Sequence, residues 1–295
     1  MEDKYIKNYI ENAVEYIEKN LNTNLTVDTI SDNIYLSKFH FQRIFKSITG
    51  KGLIEYTRSR KLTKSLEDLI NTNLPIGKIA LRYSYDYEQS FTRAFKSEFG
   101  VSPTDYRKEQ KIVNITPKAD VELLIELENA VIIKPFHVSR PSFTIGGVLN
   151  KVDNIDNEKN YKSTNVAIDF FYNHKQNIRS ARDENIYYGY TYRDDTCVDS
   201  TYYLSALEID EKTMMPDTFS KITVPPSNYT VFKFIGFFSP EKITWQHMVD
   251  IWNFKDDYLL KDKNENIKSY FHFEYINMKI CSENYCELDL YVPIL

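Results

Sequence analysis

Phe39, Gln42, Arg43 and Lys46 stand at i, i+3, i+4 and i+7, so a helix through them presents all four on one face. Fifty residues on, Gln89, Thr92, Arg93 and Lys96 repeat the spacing, with Glu88 beside them. Behind the first set runs an apolar stripe, Phe41, Ile44, Phe45 and Ile48; behind the second, Phe91, Phe95 and Phe99. The polar fronts have the chemistry to read a DNA duplex. Arg donates two hydrogen bonds to guanine O6 and N7, Gln pairs with adenine N6 and N7, and a ring such as Phe39 packs on a thymine methyl. Lys46, Lys96 and Thr92 suit phosphate contacts, which set register without reading sequence.

The elements that must hold these faces are legible in the same stretch. Ile6, Ile10, Ala13, Val14 and Ile17 predict a first amphipathic helix, and Val27, Ile30 and Ile34 a second. A tight turn then leads into the helix of Arg43, giving a helix-turn-helix unit. A long helix over about 53–71 is a rigid connector, after which Ile79, Tyr83 and Tyr85 match Ile30, Ile34 and Leu36. Two such units about 50 residues apart can enter successive major-groove segments spaced roughly 34 Å on one DNA face. Asp86 with Gln89 predicts a capping box for the second reading helix, Gly100 its stop, and Ser102 with Pro103 the start of a last short helix.

The overall charge of -5 hides a split. Residues 1–111 carry 18 Lys and Arg against 15 Asp and Glu, whereas 112–295 carry 19 against 27. A mildly basic front meets a phosphate backbone more readily than an acidic rear. At 42% hydrophobic and 27% charged the chain can build cores and is not a disordered one. No run approaches 18 uninterrupted apolar residues, and the start lacks the basic head and apolar middle of a signal peptide. Cys197, Cys281 and Cys286 form no CxxC pair, so free thiols in a reduced, cytoplasmic setting are expected. His40 and His272 lack partners at metal-site spacing, and no cofactor is expected.

The residues from Ser37 to Lys108, above all the stretch 79–107 with its SFTRAFK and FGVSP segments, resemble the DNA-binding region of the AraC/XylS family of bacterial transcription regulators over about residues 8–108. The resemblance implies an all-α domain in which two helix-turn-helix units joined by a helix bind adjacent major grooves, with monomeric members using asymmetric sites. By position, Phe39 matches a base-reading tryptophan, Gln42 and Arg43 match base readers, Glu88 and Gln89 match two glutamines, and Arg93 matches an arginine of the second groove segment. Ser31 and Tyr35 replace alanine and glycine of the pattern, and Ser84 replaces a turn glycine. A left-handed backbone at Ser84 would cost about 1 kcal/mol. Glu88 only accepts hydrogen bonds, so its base preference differs from glutamine's.

Beyond a polar bridge the pattern turns to strands. An extended stretch from residue 130 meets a break at Gly146 and Gly147; a helical run at 163–175 and two strands follow. The order then recurs: strands to about 238, a helix over 240–260, and strands at 268–278 and 287–294. This predicts an α+β domain of duplicated strand-helix-strand-strand units with a cleft at their seam. The half from about 129 resembles a gyrase-inhibitor-like effector-binding domain, with FEY at 273–275 and the ending ELDLYVPI as the local signs. The resemblance implies multidrug-type recognition of amphipathic, often cationic aromatic compounds by a buried glutamate among rings. Glu274 and Glu287 are the two candidates, Glu274 favoured, with Tyr188, Tyr190, Phe234, Phe238, Trp245 and Tyr291 as candidate rings.

The expected organisation is a DNA-binding domain at 1–111, a linker at 112–128 and an effector domain at 129–295. The expected partners are double-stranded DNA, a small-molecule effector such as a lipophilic cation, and RNA polymerase, with no membrane. A rear domain that docks a protein is the alternative. A hydrolase is disfavoured, since no GxSxG, HExxH, P-loop or Rossmann pattern occurs.

Overall fold

The computed structural model describes residues 6–32, 37–121, 124–127, 129–194, 199–261 and 271–294. The positions of Ile34, Tyr35, Leu36 and Cys197 lie outside the described residues. The chain divides into two compact units, Met1–Leu124 and Ile125–Leu295. Among the described residues no helix is long and apolar enough to cross a membrane.

The first unit is all helical. Helix α1 (Ile6–Lys19) buries the five expected residues, and α2 (Val27–Ser31) starts from a capping box between Thr26 and Thr29. Ser37 caps α3 (Lys38–Thr49), which buries Phe41, Ile44 and Phe45, while Ile48 is half-buried. The connector α4 (Leu53–Asn71) lays Leu62, Leu66 and Leu69 against Ile79 and Ala80 of α5 (Ile76–Arg82) and Phe91, Phe95 and Phe99 of α6 (Glu88–Phe99). Ser102 and Pro103 open α7 (Pro103–Glu109) as expected. The capping box expected for α6 does not form. Its N-cap is Tyr87 without a side-chain bond, because the turn enters the helix one residue later than Asp86.

Buried polar struts hold the two helix-turn-helix units on α4. Lys61, only 8% exposed, donates through Nζ to the carbonyl oxygens of Thr23 at 2.6 Å and Tyr83 at 3.2 Å. Thr23 precedes α2 and Tyr83 ends α5, so one ammonium grips both units; burial lowers its pKa. Lys51, between α3 and α4, pairs with Glu98 of α6 at 3.2 Å. The stretch expected as linker is held along α4. Arg60 grips Glu18 in a two-pronged pair and donates to the Thr116 carbonyl, while Tyr56 Oη accepts from the Ala119 amide at 2.9 Å.

The second unit is a nine-stranded sheet in the order β1-β2-β7-β9-β8-β4-β5-β3-β6. The strands are β1 (Leu124–Leu127), β2 (Ala130–Arg140), β3 (Phe143–Asp153), β4 (Ile186–Tyr192), β5 (Ser200–Ile209), β6 (Ser220–Val224), β7 (Ser227–Gly236), β8 (Phe271–Asn277) and β9 (Cys286–Ile294). Helices α8 (Asn154–Asn160) and α9 (Lys162–Asp169), the latter extended by a π turn at Phe170–His174, follow β3, and α10 (Trp245–Lys261) follows β7. The duplication is β3-α9-β4-β5 and β7-α10-β8-β9, with β4 and β8 paired at the seam. Strands β2 and β6 are exchanged, each pairing with the other half.

Strand alternation gives the sheet two distinct faces. On one, α10 covers Phe232, Phe234, Leu288 and Leu290, and the α9 side covers Tyr187, Leu207 and Ile209. On the other, Phe143, Tyr188, Tyr190, Tyr229 and Phe273 form a cluster built from strand residues. The break expected at Gly146 and Gly147 does not occur, since β3 runs through both. A Cβ at Gly147 would lie 1.9 Å from the Ser205 carbonyl oxygen, so glycine here permits close approach of β5 and not a turn.

Ser84 has a φ of 63°, and Gly100 one of 74° with open space where a Cβ would stand. Ser84→Gly is therefore expected to stabilise the first unit by about 0.5–1 kcal/mol and Gly100→Ala to destabilise it by about 1–2 kcal/mol. Urea denaturation of the full chain, followed through the helical signal, checks both.

Candidate functional site

Helices α3 and α6 carry the first group of candidates. Phe39 is 55% exposed, Lys46 is exposed, and Gln42 and Arg43 are half-buried on the same helix. The Arg43 guanidinium lies 5.7 Å from the Phe39 ring centroid, and the Gln42 amide donates to the Lys38 carbonyl at 3.3 Å. On α6, Gln89, Arg93 and Lys96 are exposed and Thr92 is half-buried, opposite the buried Phe91, Phe95 and Phe99. Glu88 is exposed but folds back over the first turn of α5. A Cβ on Gly77 would come 2.8 Å from its Oε2. The carboxylate must swing off this helix before it can meet a base edge.

The second group centres on the seam of the sheet. In β8 the alternation sends His272, Glu274 and Ile276 to the helix face. Glu274 pairs across the seam with Gly189 of β4. Tyr203 donates to Glu274 Oε2 at 2.9 Å; its hydroxyl is 2.9 Å from that of Tyr187, which donates to Ser205 Oγ at 3.2 Å. Above these hydroxyls opens a cleft between the α9 side and α10, walled by Ala167, Phe171, Tyr172, Met248 and Leu288. Desolvation raises the Glu274 pKa to about 7, against the opposing pull of the Tyr203 hydroxyl. At the mouth, Tyr172 donates to Glu241 across the cleft.

Glu287 lies elsewhere. It is 5% exposed on the other sheet face, where Lys233 Nζ reaches its Oε2 at 3.0 Å and Asp289 Oδ1 at 2.6 Å, and Tyr285 Oη donates to its Oε1 at 2.6 Å. Tyr188, Tyr190 and Tyr291 share that face. Part of this aromatic set already surrounds a cation of the chain itself. The Arg140 guanidinium is 3.8 Å from the Phe143 ring, 5.4 Å from Tyr188 and 5.9 Å from Tyr291, and donates to Tyr188 Oη at 2.7 Å and Glu208 Oε2 at 3.1 Å. Phe234 and Phe238 pack with the core under α10, and the Trp245 side chain lies outside the described residues.

The structure thus joins Glu274 to rings that sequence reasoning passed over, namely Tyr187, Tyr203, Phe171 and Tyr172. One signal was present. Gly189 interrupts an aromatic strand, and a Cβ there would come 2.4 Å from Tyr203 Oη and 2.5 Å from Glu274 Oε2. Among the described residues no cluster of His, Cys, Asp or Glu could hold a metal ion.

Because the folded state holds the Glu274 proton up to about pH 7 while an ordinary glutamate loses it near 4.5, the folded form binds more protons between those values. Ionising Glu274 should therefore reduce stability as pH rises from about 4.5 through 7, and Glu274→Gln should remove that component of the slope. Denaturation midpoints across this interval for both proteins test it. Gly189→Ala should cost about 1–3 kcal/mol by forcing Tyr203 and Glu274 apart.

Residues 30–109 match a family described as a helix-turn-helix domain, and residues 138–294, more than half of the chain, match the integron-associated effector binding protein family. The transposon Tn10 TetD protein of Escherichia coli is 42% identical over 99 residues, 34% of this chain and 72% of that protein. The multiple antibiotic resistance protein MarA of Escherichia coli K12 is 41% identical over 98 residues, 33% of this chain and 77% of that protein. A solved structure of a protein bound to tetraphenylphosphonium is 12% identical, with a TM-score of 0.43 over 55% of this chain and 94% of that one. With its paired helix-turn-helix units in front and the duplicated α+β unit behind, the chain belongs to the AraC/XylS family of DNA-binding transcription regulators and carries a C-terminal effector-binding domain of the integron-associated, gyrase-inhibitor-like kind.

Proposed function

We propose that this regulator reads two adjacent major-groove segments with α3 and α6 and that its action at a promoter, exerted on RNA polymerase, responds to an amphipathic cation bound over Glu274. In this reading Phe39, Gln42, Arg43, Glu88, Gln89 and Arg93 address base edges, and Lys46, Thr92 and Lys96 hold phosphates. The support is the shared design of the two helices: polar side chains in front, a buried aromatic stripe behind, and one connector fixing both.

For the effector, the observation that carries the reading is a carboxyl enclosed at the floor of an aromatic and aliphatic cleft with Tyr203 as its hydrogen-bond donor. Desolvation makes the ionised form costly by itself and correspondingly responsive to a cation placed against it. Phe171 and Tyr172 add ring faces to which a cation is drawn. A second carboxylate, Glu241, lies on the rim, while no lysine or arginine is among the described residues lining this hollow.

Arg43→Ala and Arg93→Ala are each expected to weaken operator binding by about 1–3 kcal/mol and to relax specificity in one half of the site. Lys46→Ala or Lys96→Ala should instead weaken all sequences and lower the salt slope by roughly one unit. Fluorescence titrations of operator variants at several salt concentrations separate these outcomes; unchanged binding by both arginine variants contradicts two-groove reading. Calorimetry on the full chain addresses the effector. Tetraphenylphosphonium should bind more tightly than neutral triphenylphosphine oxide, the preference should collapse in Glu274→Gln but persist in Glu287→Gln, and cation affinity should rise with pH through about 7. A cation-to-neutral ratio that is unaffected by Glu274→Gln excludes the charge-selective cleft.

A further inference from the structure

The hollow over Glu274 does not end there. A second hollow shares Ser163, Tyr203, Met248 and Glu274 with the first, so the two are one groove with Glu274 at the join. The first half is acidic, with Glu274 and Glu241 and no cation among its described lining. The second half brings in Arg193 and Lys255 alongside Glu158. Lys255 touches Asp256 at 3.0 Å, an aspartate whose side chain is 64% exposed.

Placement along the elements orders these charges. Glu274 and His272 are two residues apart on one face of β8, about 7 Å by strand rise. Met248, Trp252 and Lys255 follow one stripe of α10 from the join outwards, about 10 Å along the helix axis. His272 forms floor for the outer half, and its buried Nε2 has no hydrogen-bond partner among the described residues. A buried polar atom left unbonded is a standing cost that an incoming polar group removes. The ring is neutral near pH 7, since burial brings its pKa down to about 4 with Lys255 and Arg193 adding to the fall. Those two cations are therefore the charges felt at this floor, and they favour an acceptor over a second cation.

We propose that the groove takes an amphipathic zwitterion, its cationic apolar end over Glu274 and its anionic end beside His272, Lys255 and Arg193, with the two charges about 7–10 Å apart. This rests on the effector reading above and narrows its ligand class. A lone lipophilic cation fills the inner half only. A zwitterion of matching span uses both halves and is fixed in orientation by the charge order of the groove.

The test compares three probes on the full chain by calorimetry: a benzyldimethylalkylammonium cation, the same ammonium bearing a terminal sulfonate on a five-carbon tether, and the tethered sulfonate with a neutral ether in place of nitrogen. The zwitterion should bind about tenfold more tightly than the cation. In the double variant Lys255→Gln, Arg193→Gln that advantage should fall to about unity with cation affinity held or raised. Glu274→Gln should weaken zwitterion and cation alike. Equal binding of zwitterion and cation to the native chain, or an advantage that survives the double variant, overturns the zwitterion assignment and leaves the cation reading standing. Absence of binding by both charged probes overturns the two together.

Discussion

A carboxyl buried in an apolar seam is stable only where every neighbouring atom is arranged for it, and the second unit is organised around that demand. Gly189 contributes no side chain, which leaves Glu274 and Tyr203 the volume in which to meet. Tyr203 donates to Glu274, so the proximal carboxyl oxygen is satisfied without a basic partner, while the neighbouring Tyr187 hydroxyl is tied to Ser205 of the sheet. A lysine or arginine in contact would hold the carboxylate ionised. Two buried cations of the sheet are kept on the opposite face, where Lys233 neutralises Glu287 and Asp289 and Arg140 sits among Phe143, Tyr188 and Tyr291. Strand alternation is what makes this partition possible. Adjacent residues of β8 and β9 face two chemically different worlds, one under the helices and one within the aromatic cluster.

The first unit meets a related problem with different means. Two similar helices are held on one connector, and apolar packing against it fixes their distance better than their rotation. Directional contacts supply the rest. Lys61 reaches carbonyls in both helix-turn-helix units, Lys51 ties the start of α4 to Glu98 on α6, and Arg60 clamps α1 to α4. Buried polar contacts of this kind add little net stability but penalise alternative packings strongly, because each broken one strands a desolvated group.

Much of the first unit was legible because helical periodicity and end signals act over a few residues. The stripes of α3 and α6, the stop at Gly100 and the Ser102 cap all rest on local geometry. The Asp86 cap failed since a one-residue change in a turn shifts a helix start without altering its periodicity. In the second unit the duplication was legible, but the face of each strand was not. The run from Tyr187 to Tyr192 is aromatic on both sides, so Tyr188 and Tyr190 looked as suitable as Tyr187, and only the pairing of β4 with β8 tells them apart. Gly147 and Gly189 both report a close approach, of a neighbouring backbone in one case and of Tyr203 and Glu274 in the other; sequence shows the glycine but not what approaches it. Struts such as Lys61 are equally hidden, because a lysine on a helix reads as solvated until its neighbours are known.

The state of the Glu274 carboxyl bears most directly on this picture. A carbon-13 NMR titration of glutamate side-chain carboxyls in the full chain, with the Glu274 signal assigned by its loss in Glu274→Gln, reports its pKa with and without tetraphenylphosphonium. The expected result is a midpoint near 7 in the free protein that falls by a unit or more when the cation binds, since a positive charge against the carboxyl favours its ionised form. A midpoint near the ordinary 4.5, or one that the cation leaves unmoved, would contradict a desolvated carboxyl awaiting a charged ligand.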